Sequence, residues 1–140
     1  MISIIIPCLN EEQAIGTTLA ELKKLDMQEV QGIVVDNGST DSTFQVAKSM
    51  GAQVYREPIK GKGFAFRKAL KHVDPRASTI VMVDGDATYD LTNLSYHVQL
   101  VQDYGYDMVV GSRLTNPLEV NQFRRGHRMG NVFFSFWIRR

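Results

Sequence analysis

Two aspartates separated by one glycine, Asp84-Gly85-Asp86, end the apolar run from Thr79 to Val83. A strand that breaks there presents both carboxylates at a sheet edge, with the glycine permitting close approach. Like charges so placed need a cation. Mg²⁺ or Mn²⁺ suits carboxylate oxygens and is usually completed by substrate phosphates and water. Taken alone, the tripeptide reads equally as a solvated acidic turn. The run VVDNGSTD at 34–41 offers a second acid at a strand end. Asp36 there can accept a hydrogen bond from a nucleobase or ribose, or close an Asx turn. Asp41 reads as a helix cap.

Basic groups supply the complement. KGKGFAFRKAL at 60–70 puts Lys60 and Lys62, with two glycines, ahead of a helix, where backbone N–H groups and positive charge can hold phosphate. Arg113, after Gly-Ser, can neutralise a diphosphate or an acceptor phosphate by bidentate contact, or stand as a surface arginine. RRGHRMGN at 124–131 gathers Arg124, Arg125, His127 and Arg128 before an aromatic run. Other chemistries lack their residues. His72, His97 and His127 have no zinc-ligand spacing with one another or with Cys8. G-x-S-x-G, the P-loop and G-x-G-x-x-G are absent, which removes the serine hydrolase, ordinary nucleoside-triphosphatase and nicotinamide readings.

The elements that must position these groups are legible from periodicity. Short Ile/Val-rich runs alternate with segments of helical period, which requires crossover connections and a mainly parallel sheet, an α/β fold. Strands are expected at Ile2–Ile6, Gly32–Asp36, Gln53–Arg56, Thr79–Asp84 and Met108–Gly111. Ile15, Leu19, Leu22 and Leu25 mark one face of a first helix, with Asn10 as its cap and Gln13 reaching back. A second helix starts near Asp41 and stops at Gly51, and a third runs from about Gly63 to Val73, before Pro75. Residues Leu94 to Val101 form a fourth. In such a sheet the ligand crevice lies beyond the carboxyl ends of the strands. The acids fall there.

The chain has 140 residues, enough for a single domain over 1–140. Sixteen basic and fifteen acidic residues give a net charge of +1, which predicts no nucleic-acid partner. The distribution is uneven: residues 1–110 hold ten Lys/Arg and fourteen Asp/Glu, whereas 111–140 hold six Arg and Glu119. Arginine is interleaved there with Phe123, Phe133, Phe134, Phe136 and Trp137, the composition of a helix facing a membrane or a partner, or of a packed core. Cys8 has no partner for an internal disulfide and reads as a small buried hydrophobe. MISIIIP lacks the basic start of a signal peptide, and no run approaches the roughly 18 apolar residues of a membrane span. Any membrane contact of this segment is expected to be peripheral.

Taken in order, IIIPCLNEE at 4–12, VVDNGSTD at 34–41, KGKGFAFRKAL at 60–70, VDGDATYD at 83–90 and DMVVGSR at 107–113 resemble family 2 glycosyltransferases. The GKG segment and RRGHRMGN most resemble the dolichyl-phosphate mannose synthase-like branch, whose members move a sugar from a nucleotide donor to a polyprenyl phosphate. The resemblance implies a GT-A fold, a Rossmann-like three-layer arrangement. It also implies a nucleotide site of Pro7, Leu9, Glu11, Val34, Asp36, Asp84 and Gly85. Asp84 and Asp86 become the D-x-D pair, with Asp86 the main ligand of Mg²⁺ or Mn²⁺. Thr88 stands where many relatives carry a metal-binding glutamine, and Asn37 where the second acid of a pair is usual. Lys60, Lys62, Arg124, Arg125 and Arg128 fall to phosphate or acceptor.

The implied reaction is inverting transfer of a hexose from a nucleoside-diphosphate sugar, of the GDP-mannose or UDP-glucose type, to a polyprenyl phosphate. Asp86 and Arg113 would carry the catalysis. The implied place is the cytoplasmic face of a membrane. Relatives continue past the aromatic segment, so a C-terminally truncated catalytic domain, complete on the donor side, is expected. Transfer to a sugar hydroxyl is the alternative within the family. A receiver-type regulatory domain is the rival outside it, and fits poorly because strand one leads to Pro7, Cys8, Leu9 and Asn10 rather than to an acidic pair.

Overall fold

The computed structural model describes residues 1–25, 27 and 29–111. Met1–Val109 form one compact unit and Val110–Arg140 a second, of which only Val110 and Gly111 are described. In chain order the first unit carries β1 (Ile2–Cys8), α1 (Ile15–Lys24), β2 (Val30–Asp36), α2 (Thr43–Ser49), β3 (Gln53–Arg56), α3 (Lys62–Leu70), β4 (Thr79–Met82) and α4 (Leu94–Gln102). The strands form one sheet in the order β3-β2-β1-β4, and every pair is parallel.

Alternation along β1 sorts the core into two layers. Ile2, Ile4, Ile6 and Cys8 pack with Ile15 and Leu19 of α1, Ala47 of α2 and Leu94 and Val98 of α4. Ile5, with Ile33 and Val35 of β2, packs on the other face against Ala65 and Ala69 of α3. This placement is what right-handed crossovers require. The chain moves outward from β1 to β3, then doubles back to β4, so α3 lies on the face opposite α1 and α2. The reversal leaves a crevice between the carboxyl ends of β1 and β4.

Pro7 sits where the two strands part. Ile5 O accepts from Val83 N on the β4 side, and Cys8 O from Asn37 N on the β2 side. Odd residues of β1 therefore face β4, whose ladder ends at the Ile5–Met82 pair. A proline at position 7 removes no ladder donor, because β1 has already outrun its neighbour.

Three local expectations are corrected. Asn10 does not cap α1: it has φ 57°, and its Oδ1 accepts from Thr40 N and Oγ1, so its side chain ties the loop after β1 to the loop after β2. The helix begins four residues later, with Leu25 just past its end. Residues 108–111 make no strand among the described residues, and Met108 is 76% exposed. A short apolar run becomes a strand only by pairing, which its own sequence does not encode. The third helix is shorter than expected, ending at Leu70, with Lys71 as its C-cap.

Candidate functional site

A cavity of about 250 Å³ opens at this crevice, lined by Pro7, Cys8, Leu9, Glu11, Asn37, Gly61, Lys62, Asp84, Gly85 and Asp86. It is smaller than the roughly 300–1,000 Å³ of a drug-sized pocket.

Gly85 holds the acidic pair against β1. A Cβ at this position would stand 2.5 Å from Cys8 Sγ and 3.5 Å from Ile15 Cδ1, so only glycine lets the loop lie this low. Its carbonyl accepts from Thr18 Oγ1 of α1 at 3.3 Å. Asp84 is gripped from two sides, by an ion pair with Lys62 and by a hydrogen bond from Tyr89 Oη to Oδ2 at 3.2 Å. Asp86 Oδ1 accepts from Thr88 N and Oγ1. Thr88 thus orients Asp86, and its hydroxyl is committed to that carboxylate. Asp86 Oδ2 faces no such donor among the described residues, so the pair retains acceptor capacity for a hard cation.

Glu11 reaches the rim because the loop before α1 is pinned. Its N–H donates to Thr43 Oγ1 and that of Glu12 to Asp41 Oδ2. Burial, then the nearby charges of Asp86, Asp41 and Asp84, raise the Glu11 carboxyl above its ordinary value. Burial also pushes the Cys8 thiol up to about 12, reinforced by Glu11, Asp36, Asp84 and Asp86. The cavity is a concentrated negative field, with one lysine in its wall. Asp41 is not the cap of α2, which is Ser42: its Oδ1 accepts from Thr43 N in an Asx turn just before the helix, and its bonds to Thr43 hold its carboxyl below the ordinary range against the opposing effect of burial.

Asn37 organises the opposite wall and was not among the expected site residues. It is buried, its Nδ2 donates to Glu57 O and Ile59 O, and its Oδ1 accepts from Gly61 N at 2.7 Å. One amide therefore folds the 57–61 segment onto the end of β2. Gly61 adopts φ 135°, which side chains resist, to enter α3 from this loop. An aspartate at 37 could not make the two donations. The legible signal was a polar residue directly after the VVD strand end, next to a lysine-glycine loop. Cys8 also lines the cavity unanticipated, and Gly61 lines it as part of the lysine-glycine loop expected to hold phosphate.

The remaining expected site residues lie elsewhere. Val34 is fully buried in the core against the α1 and α2 layer, so its side chain offers nothing to the cavity. Asp36 is buried outside the cavity lining, accepts from Ser39 N, three residues on, at 2.9 Å and faces Arg56 at 3.7 Å. Lys60 is exposed outside the lining. Arg113, Arg124, Arg125 and Arg128 fall outside the described residues.

Residues 3–140 match the family model for glycosyl transferase family 2, and the chain belongs to that family. It is a glycosyltransferase domain with the GT-A fold, as the motifs implied. It is 42% identical over 127 residues to protein RfbJ of Shigella flexneri, covering 91% of this chain and 95% of that protein. A dolichyl-phosphate hexose transferase of Haloferax volcanii is 34% identical over 134 residues, covering 96% of this chain and 56% of that one. Among solved structures, glucosyl-3-phosphoglycerate synthase from Mycobacterium tuberculosis with Mn²⁺, UDP and glucosyl-3-phosphoglycerate aligns with a TM-score of 0.61 at 28% identity. The alignment covers 72% of this chain and 39% of that one. This chain therefore spans about half of the hexose transferase and less of the synthase.

Proposed function

We propose that this chain carries the donor-binding part of an inverting, metal-dependent hexosyltransferase that takes a nucleoside-diphosphate sugar and delivers the hexose to a polyprenyl phosphate. The observation that carries the reading is the convergence of Asp84, Asp86 and Glu11 on one small cavity at the sheet's switch point. The donor side is supported by the synthase solved with Mn²⁺ and UDP, and the acceptor class by the dolichyl-phosphate hexose transferase relative.

Asp86 and Asp84 would hold a divalent cation, whose chemistry is to offset charge on a departing diphosphate. The protein's own groups do the rest. Thr88 fixes the Asp86 carboxylate, Tyr89 fixes Asp84, and Lys62 stands in the same wall to meet a phosphate oxygen. Pro7, Leu9 and the backbone around Gly85 would border the nucleotide. Arg113 would add a second positive charge to the leaving group, and Arg124, Arg125 and Arg128 would meet the acceptor and an anionic membrane at its cytoplasmic face. An acceptor phosphate oxygen forms a bond to the anomeric carbon as that carbon's bond to the diphosphate oxygen breaks, with inversion. The acceptor is already ionised at pH 7, so no general base is needed.

Calorimetric titration with UDP and GDP, each with and without Mn²⁺, tests the reading on this chain and on Asp86→Ala. Metal-dependent binding of one nucleotide, lost in Asp86→Ala, is expected. Binding of neither nucleotide by the folded chain, or equal Mn²⁺ dependence in the variant, would overturn the donor site.

A further inference from the structure

The bases of the described unit are not spread over its surface. Seven of the ten Lys/Arg in residues 1–110 lie between Arg56 and Arg76, with only Glu57 and Asp74 as acids in that stretch. Both acids are engaged: Glu57 Oε1 accepts from Ile59 N, and Asp74 is paired with Arg76. Arg56 and Lys62 face Asp36 and Asp84. Lys60, Lys68 and Lys71 have no ion-pair partner among the described residues. Arg67 lies over the ring of Phe64, its guanidinium 5.1 Å from the centroid.

These groups share a face. Ala65 and Ala69 turn inward from α3, which puts Phe64, Arg67, Lys68 and Lys71 on the outer side at steps of three, one and three. Three apolar side chains are partly exposed on or beside this face: Ile59 at 55% exposure, Phe64 at 39%, with Arg67 over its ring, and Leu70 at 41%. A merely solvated basic helix has no use for those three. A nucleic-acid strand would use the charges but leaves Ile59 and Leu70 unexplained, whereas an anionic bilayer uses both sets. The headgroups meet the cations and the apolar side chains enter the acyl boundary.

We propose that the face from Ile59 to Lys71 docks on an anionic lipid surface. The proposal rests on charge and exposure in this chain, independently of any contact by the arginines at 124, 125 and 128. Its placement also deepens the functional reading, on which this clause alone depends. Gly61 and Lys62, at the start of α3, line the cavity, so a bilayer against this face brings the mouth close to headgroup level, where a lipid-linked phosphate resides.

Sedimentation of the whole chain with phosphatidylcholine vesicles, with and without phosphatidylglycerol, tests the surface. Each Lys or Arg near an anionic surface is worth about fivefold in partitioning, so Arg67→Gln/Lys68→Gln/Lys71→Gln should bind about a hundredfold more weakly. Phe64→Ser, with the charges intact, should lose several-fold and so separates insertion from simple attraction. Lys23→Gln/Lys24→Gln, on the exposed end of α1, should bind as the parent does. Thermal melting verifies that each variant is folded. Unchanged binding in the α3 triple variant, an equal loss in the α1 variant, or retention of the parent on duplex DNA without vesicle binding would overturn the proposal. Vesicle and nucleotide binding are read separately, so failure of one does not disguise failure of the other.

Discussion

The two rims of the sheet solve opposite problems. At the amino ends of the strands, one neutral amide ties four polar groups together. Gln31 Oε1 accepts from Ser3 Oγ at 2.8 Å and Asp74 N at 2.9 Å, while its Nε2 donates to Gln53 Oε1 and His72 O. At the carboxyl ends, burial first and then the neighbouring carboxylates raise two groups: Glu11, beside Asp86, Asp41 and Asp84, and the Cys8 thiol, beside Glu11, Asp36, Asp84 and Asp86. The first rim meets its polar groups with one another, except for the buried His72 Nε2. The second carries unfavourable charge that a cation would relieve, and such cost is expected where a ligand is to bind.

Gly85→Ala should break the second rim most severely. Its methyl collides with Cys8 Sγ, so a loss of about 3 kcal/mol is expected in denaturant unfolding, together with loss of metal-dependent nucleotide binding. Adding Cys8→Ala should recover part of both, because the colliding atom is then gone. Asn37→Asp should cost about 2 kcal/mol, since two carbonyls lose their donor and a further negative charge joins the rim. Gln31→Ala sharpens the contrast from the other side. It should cost about 1.5 kcal/mol in unfolding and leave Mn²⁺ and nucleotide titrations unchanged.

The smallest effect is also the one of opposite sign. Glu11 has a raised folded-state pKa, so its charged form is disfavoured by folding. No penalty exists below the unfolded value near 4.5, and it develops as pH rises through and above that value. Glu11→Gln should therefore be slightly more stable than the parent at pH 7 and indistinguishable from it at pH 3. Thermal melting across that range measures the difference. A gain that persists at pH 3 would mean that the acid rim is not the cause.

Periodicity located all four strands of the described sheet, because alternation and apolar runs are local properties. It placed a fifth at 108–111, where a partner was needed and none is found among the described residues. Within the site, Asp84, Gly85, Asp86, Glu11 and Pro7 were legible as residues just after strand ends, and Leu9 through the family resemblance. Asn37 was not, because its role is to satisfy Gly61, Glu57 and Ile59, and the return of that loop to the end of β2 is a tertiary event. Val34 and Asp36 show the converse. Motif position brought them into the site, while burial and a local turn occupy their side chains.

Cys8 lies beneath Gly85, 3% exposed at the wall of the cavity, and at pH 8 it remains almost wholly a thiol. An alkylating reagent should therefore react chiefly during moments when the Asp84-Gly85-Asp86 loop lifts. The slow labelling rate of this single cysteine becomes a clock for that opening, readable by mass spectrometry without any engineered label. Whatever clamps the two aspartates from above will slow the clock.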